Sequence, residues 1–211
     1  MEIEIPAYDK TETVSVIGKH IVFAKIEPDG DASNPTDDDG FGTFYSHSTR
    51  HINFKHPDET SEILESDPDA VALSYFEHGN SLWMVAELPA RPGVEFQWDG
   101  VRFAGIWVPD QCIRESYSGQ DGLTRREWMV KQAKGACETY TQWCNGDVYG
   151  YNVEVFDLKL DDDGEPLDLE SDYRRELPVF EDSCWGFYGY DGVTEALTEA
   201  LPEVKDGIIQ L

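Results

Sequence analysis

Apolar and polar positions trade places in short runs along the first hundred residues. Thr13-Val14-Ser15-Val16-Ile17 and Ile21-Val22-Phe23-Ala24-Lys25-Ile26 are β-branched runs divided by Gly18, Lys19 and His20, which predicts two strands. Residues 27–40 are rich in Asp, Pro, Gly and Asn and read as a loop. Residues 57–69 are acidic too, with room for a short helix ended near Pro68. Val71–Phe76 and Leu82–Leu88 flank Gly79-Asn80, while Val94–Trp98 and Val101–Val108 flank Asp99-Gly100. Those turn dipeptides predict two hairpins. Trp83, Val85, Trp98, Phe103 and Trp107 are the expected packing surface of the sheet.

The period then changes. Thr124-Arg125-Arg126-Glu127 has the form of a capping box, in which Thr and Glu serve unpaired amides of a first turn. Met129, Ala133, Ala136, Cys137, Tyr140 and Cys144 recur on one helical face, Gly135 interrupts it at some cost in propensity, and Asn145-Gly146 is a stop. Val148–Leu160 and Val179–Tyr188 read as strands joined by a long acidic loop, followed by a closing helix at about 191–201. The expected fold is α+β: an antiparallel sheet of hairpins with one main amphipathic helix (about 124–144) and a short C-terminal helix. It occupies a single domain, 1–211; a subdivision, if present, falls near 118–123, with a β-rich part at 1–118 and helix plus hairpin at 123–211.

Composition narrows the functional classes. Hydrophobic residues make up 40% and aromatics 12%, which is too much buriable surface for an acidic disordered chain. With 43 Asp and Glu against 16 Lys and Arg, the formal net charge is −27. That sign argues against direct contact with nucleic acid or anionic membrane, where Lys and Arg supply the affinity. No run approaches the length of a transmembrane helix, and the first residues lack a basic start or an apolar signal stretch. The cytoplasm, with reduced Cys112, Cys137, Cys144 and Cys184, is the expected compartment.

Motif fragments are present but incomplete. Ser183-Cys184-Trp185-Gly186-Phe187 is similar to the nucleophile motif of papain-like proteases, yet no His follows His78 to hold a thiolate. A buried thiol beside aromatics is the expectation for Cys184. Asp161-Asp162-Asp163-Gly164-Glu165 and Asp37-Asp38-Asp39-Gly40 imitate calcium loops, but the first ligand positions hold Lys159 and Pro35. His47, His51 and His56 are close in sequence without a Cys or acidic residue at ligand spacing, so they read as ordinary surface histidines. No phosphate loop, GxSxG or HExxH occurs. No catalytic residue, metal or cofactor is expected.

Trp143-Cys144-Asn145-Gly146-Asp147-Val148-Tyr149-Gly150-Tyr151, with Asp182-Ser183-Cys184-Trp185-Gly186-Phe187-Tyr188-Gly189, resembles a pattern in uncharacterised bacteriophage proteins that pair a GDVYGY-like strand with an SCWGFYG-like strand. The resemblance spans about residues 130–200 and implies an origin in a phage or other mobile element. It brings no activity with it. Physically, Tyr149, Tyr151, Trp185, Phe187 and Tyr188 can pair across the strands, with Gly150, Gly186 and Gly189 permitting bulges or close approach.

The charge itself is the strongest functional signal. Duplex DNA carries one charge per about 1.7 Å of axis, so 27 charges correspond to about 46 Å of duplex. A compact chain of this length has a diameter near ~43 Å. The acidic residues are blocked: Asp29, Asp31, Asp37, Asp38 and Asp39; then Asp58, Glu59, Glu62 and Glu65; then Asp161, Asp162, Asp163, Glu165, Asp168, Glu170 and Asp172. These are the candidate partner-binding residues of a phage-encoded DNA mimic that inhibits a host restriction or CRISPR-type nuclease by filling its phosphate pockets. A homodimer would extend such a surface. Alternatives stay open: an accessory protein binding a basic partner without mimicry, halophilic adaptation with no partner implied, and a hydrolase lacking any motif.

Overall fold

Strands and helices form largely where the patterns place them. In the computed structural model, residues 3–8, 10–89, 99–119, 122–164, 167, 173 and 177–210 are described. Their elements begin with β1 (Glu12–Ile17), β2 (His20–Pro28), β3 (Thr43–Ser46), α1 (Pro57–Ser66), β4 (Val71–His78), β5 (Asn80–Val85) and β6 (Gly100–Val108). They continue with α2 (Gln111–Ser116), α3 (Arg125–Cys144), β7 (Val148–Asp157), β8 (Phe180–Tyr188), α4 (Tyr190–Ala200), β9 (Glu203–Lys205) and β10 (Ile208–Gln210). A 3-10 turn covers Pro35–Asp37. The fold is α+β, with antiparallel pairing within each sheet.

The chain separates into two units. One consists of Met1–Ala32 and Gly146–Leu211, and the other, Ser33–Asn145, is inserted between those segments in sequence. The boundary considered near 118–123 therefore falls inside the inserted unit. The reason is α3, which packs on β5 and β4, the strands before it in sequence.

In the first unit the sheet order is β1-β2-β7-β8. β2 and β7 are central and covered on both faces, which is why β2 reads as a nearly continuous apolar run. Val22, Ala24, Val153 and Val155 pack under Val193 and Leu197 of α4 on one face. Ile21, Phe23 and Phe156 pack with Tyr173 on the other. The β9–β10 ribbon has no counterpart among the expected elements, because three-residue strands with Glu203 and Lys205 outward leave no periodic signal.

In the inserted unit the order is β3-β6-β4-β5. Met129, Ala133, Cys137 and Tyr140 of α3 pack with Leu73, Trp83, Val85 and Trp107. The capping box forms as read: Glu127 Oε2 accepts from the Thr124 amide at 2.8 Å, and Thr124 Oγ1 accepts from the Glu127 amide. Phe103 departs from expectation. The register of β6 slips against β4 between Leu73 and Tyr75, and Phe103 takes φ +56° with its ring exposed. A bulge breaks the inward–outward alternation on which the packing assignment of Phe103 depended. Trp98 and the strand expected at 94–98 lie outside the described residues.

Candidate functional site

The acidic blocks fall on both units, and they differ in how local structure holds them. After β2, Asp29 is half-buried and accepts from the Asp31 amide at 3.2 Å, while Asp31 is exposed. Asn34 caps the 3-10 turn, so Asp37 ends a defined turn and Asp38 and Asp39 follow it into solvent. Asp161, Asp162 and Asp163 are exposed, with the Asp163 amide donating to Asp161 Oδ1 at 2.9 Å. Glu165, Asp168, Glu170 and Asp172 lie outside the described residues.

The most ordered block is α1. His56 caps it, accepting from the Asp58 amide at 3.3 Å, and Glu59 returns a bond from the His56 amide at 3.0 Å. Thr60 is buried, with Ile63 and Leu64 half-buried on the same side. That orientation sends Asp58, Glu59, Glu62 and Glu65 outward. Helical rise is about 1.5 Å per residue, so Asp58 to Glu65 spans about 10.5 Å. Duplex DNA carries about six charges over that length, and α1 carries four. Glu65 occupies the last turn, which has no basic residue, so it opposes the helix dipole at a cost of about 0.3–1 kcal/mol.

A second population of carboxylates works inside the fold. Asp67 takes both guanidinium arms of Arg114, at 2.9 and 2.7 Å. The buried Asp69 takes Arg125 at 2.8 and 2.5 Å and Arg114 at 3.1 Å. Hydrogen bonds from Arg114 hold Asp67 below the ordinary carboxylate range, and those from Arg125 do the same for Asp69, against the opposing effect of burial. Asp110 accepts from the amides of Gly40 and Gly42 at 3.0 and 2.9 Å. By contrast, none of Asp31, Asp37, Asp38, Asp39, Glu62, Glu65, Asp162 and Asp163 lies within ion-pair distance of a described basic side chain.

The three neighbouring histidines have separate partners, and only His56 is exposed as expected, His47 and His51 being half-buried. His47 Nε2 lies 2.7 Å from Thr60 Oγ1, His51 Nδ1 lies 2.8 Å from Ser46 Oγ, and His56 caps α1. Burial lowers the pKa of both His47 and His51, with Arg50 adding to the effect at His51. Among the described residues no group of three or more His, Cys, Asp or Glu could hold a metal ion.

The GDVYGY and SCWGFYG segments are β7 and β8, paired antiparallel with a bulge at Tyr149/Gly150. Tyr151 stacks on Phe187 at 5.8 Å between ring centres. Gly150 lies directly under Trp185, whose indole would occupy the position of any added Cβ. The buried thiol expected at Cys184 is overturned. β8 is a sheet edge, and Cys184 and Trp185 are both exposed there. All four cysteines are free.

Sequence reasoning missed a cleft in the inserted unit, with a volume of about 230 Å³. Its walls come from the turn after β3, from β4 and β5, and from the end of α3. Trp83 was legible as core, but nothing in linear order joins it to Arg50 or Trp143. Those residues come from segments paired only by the sheet and by α3 docking.

No described helix is long and apolar enough to cross a membrane. Compared with protein-family models, curated proteins and solved structures, the chain matches none.

Proposed function

We propose that the protein is an acidic inhibitor that occupies the nucleic-acid-binding surface of a basic partner, in the manner of a DNA mimic. The observation that carries this reading is the division of its carboxylates. Asp67, Asp69 and Asp110 are engaged by internal donors, while the aspartates at 37–39 and the glutamates of α1 face solvent without a described basic partner. Uncompensated charge destabilises a compact chain, so its retention, including Glu65 against the helix dipole, favours a use outside the fold. Steering between such a surface and Arg- and Lys-lined phosphate pockets gives fast capture. On this reading the partner is a host nuclease or defence complex, and the protein is a phage product acting in the bacterial cytoplasm.

The test is capture of partners from bacterial lysate by the tagged chain, with duplex DNA as competitor. Recovery of a nuclease or defence subunit that DNA displaces is the expected result. Asp161, Asp162 and Asp163 changed together to Asn, or Glu62 and Glu65 changed together to Gln, should weaken that capture while leaving the fold intact. Single changes should do little, since exposed charge contacts are worth about 0–1 kcal/mol each. A partner indifferent to DNA would replace mimicry with a dedicated interaction. Absence of any partner, with folding that requires molar salt, would leave halophilic adaptation as the explanation.

A further inference from the structure

The cleft between β4, β5 and the end of α3 takes no part in the acidic blocks, yet it has a definite chemistry. Its walls are aromatic: Tyr75 lies 4.7 Å from Trp83 between ring centres, and Tyr140 stacks on Trp143 at 5.7 Å. Loss of solvation pushes Tyr140 up to about 12 and the Cys144 thiol up to about 11 and lowers His51, so each of these wall groups favours its uncharged form. The ionic element is Arg50, which lines the cleft and whose Nη2 lies 3.4 Å from Glu77 Oε2.

The two members of the Arg50–Glu77 pair are held very differently. Glu77 Oε2 also accepts from the Tyr75 hydroxyl at 3.2 Å, and that hydroxyl lies 2.9 Å from Ser81 Oγ, so the carboxylate is tied to the ring wall. Arg50 reaches Glu77 through one arm, and its side chain is 76% exposed. An exposed pair of this kind is worth about 0–1 kcal/mol, so the cation is easily exchanged. Aromatic faces attract cations, Trp most strongly, and the chain around them carries a net charge of −27. A volume of about 230 Å³ is several times the ~30 Å³ share of one water, enough for a side-chain head group.

We propose that this cleft is the seat for an arginine guanidinium of the basic partner, with Arg50 as the placeholder that the incoming group displaces from Glu77. The proposal rests on the basic-partner reading above and specifies the contact that would anchor it. Buried aromatic and arginine contacts are the usual energetic centres of interfaces, whereas dispersed charges mainly steer encounter.

The experiment titrates tryptophan fluorescence of the full chain with Nα-acetylarginine amide, with its uncharged isostere Nα-acetylcitrulline amide, and with adenosine monophosphate as a planar anion. Saturable binding of the arginine derivative is expected, at least tenfold tighter than that of citrulline. Arg50→Gln should strengthen it several-fold by removing the competitor, and Glu77→Gln should weaken it at least tenfold. The triple Asn variant at 161–163 should leave it unchanged, which separates the seat from the acidic blocks. Weaker arginine binding in Arg50→Gln, preference for the nucleotide, or no saturable binding at all would overturn the proposal. Failure to capture a DNA-competed partner, with arginine binding intact, would count against mimicry and not against the seat.

Discussion

Two glycines show how one residue type serves opposite ends. At Gly150 the indole of Trp185 lies where a side chain would be, so the glycine is a condition of the β7–β8 aromatic pairing. Gly150→Ala should cost about 1–3 kcal/mol by forcing the indole or the strand aside. Adding Trp185→Ala should return most of that loss, and urea denaturation of the two single variants and the double variant measures the coupling. Gly135, in α3, has open space around it. Gly135→Ala should therefore stabilise by about 0.5–1 kcal/mol, the ordinary helix-propensity difference. If both substitutions shifted stability in the same direction, this account of Gly150 would be wrong. The sequence marks Gly135 as a helix interruption and Gly150 as a site of bulge or close approach, but the ring that lies over Gly150 is set only by the pairing of β7 and β8.

At the scale of elements, the segment before β4 is tied to α2 and α3 through Asp67 and Asp69. Arg114 comes from the last turn of α2 and Arg125 from the first turn of α3, so one buried carboxylate joins the end of one helix to the start of the next. Asp69→Asn removes the charge that pairs Arg125, while Arg114 keeps Asp67, a loss of about 2–4 kcal/mol. Asp67 and Asp69 both have depressed native pKa values, so their contribution is present above the unfolded value near ~4 and is lost as pH falls through the native values. Wild type and Asp69→Asn should differ at pH 7 and converge in chemical denaturation as acid protonates Asp69 in the native state. A difference that persisted in acid would mean that packing, not charge, sets the effect. Sequence pattern placed Asp67 and Asp69 in the same acidic stretch as Asp58 and Glu62, since charge counting does not see which way a side chain turns.

For the molecule as a whole, a net charge of −27 means self-repulsion that salt should relieve. The Debye length falls from about 30 Å at 0.01 M to about 3 Å at 1 M, so the melting temperature should rise with sodium chloride, on the order of 5 °C over that range. The triple Asn variant at 161–163 should show a smaller rise, and a flat melting profile for wild type would deny that exposed carboxylates strain the fold. Local pattern alone determined the α+β class, the strands at β1, β2, β7 and β8, α3 with its cap, and the size of the charge. Those depend on side-chain period and turn chemistry within a dozen residues. Tertiary structure decided the rest: that Ser33–Asn145 forms its own unit, that Phe103 and Cys184 face outward, that Asp69 faces inward, and that Arg50, Tyr75 and Trp143 meet at one cleft. Each of these depends on strand register, on edge position, or on contacts between segments tens of residues apart, which no local period encodes.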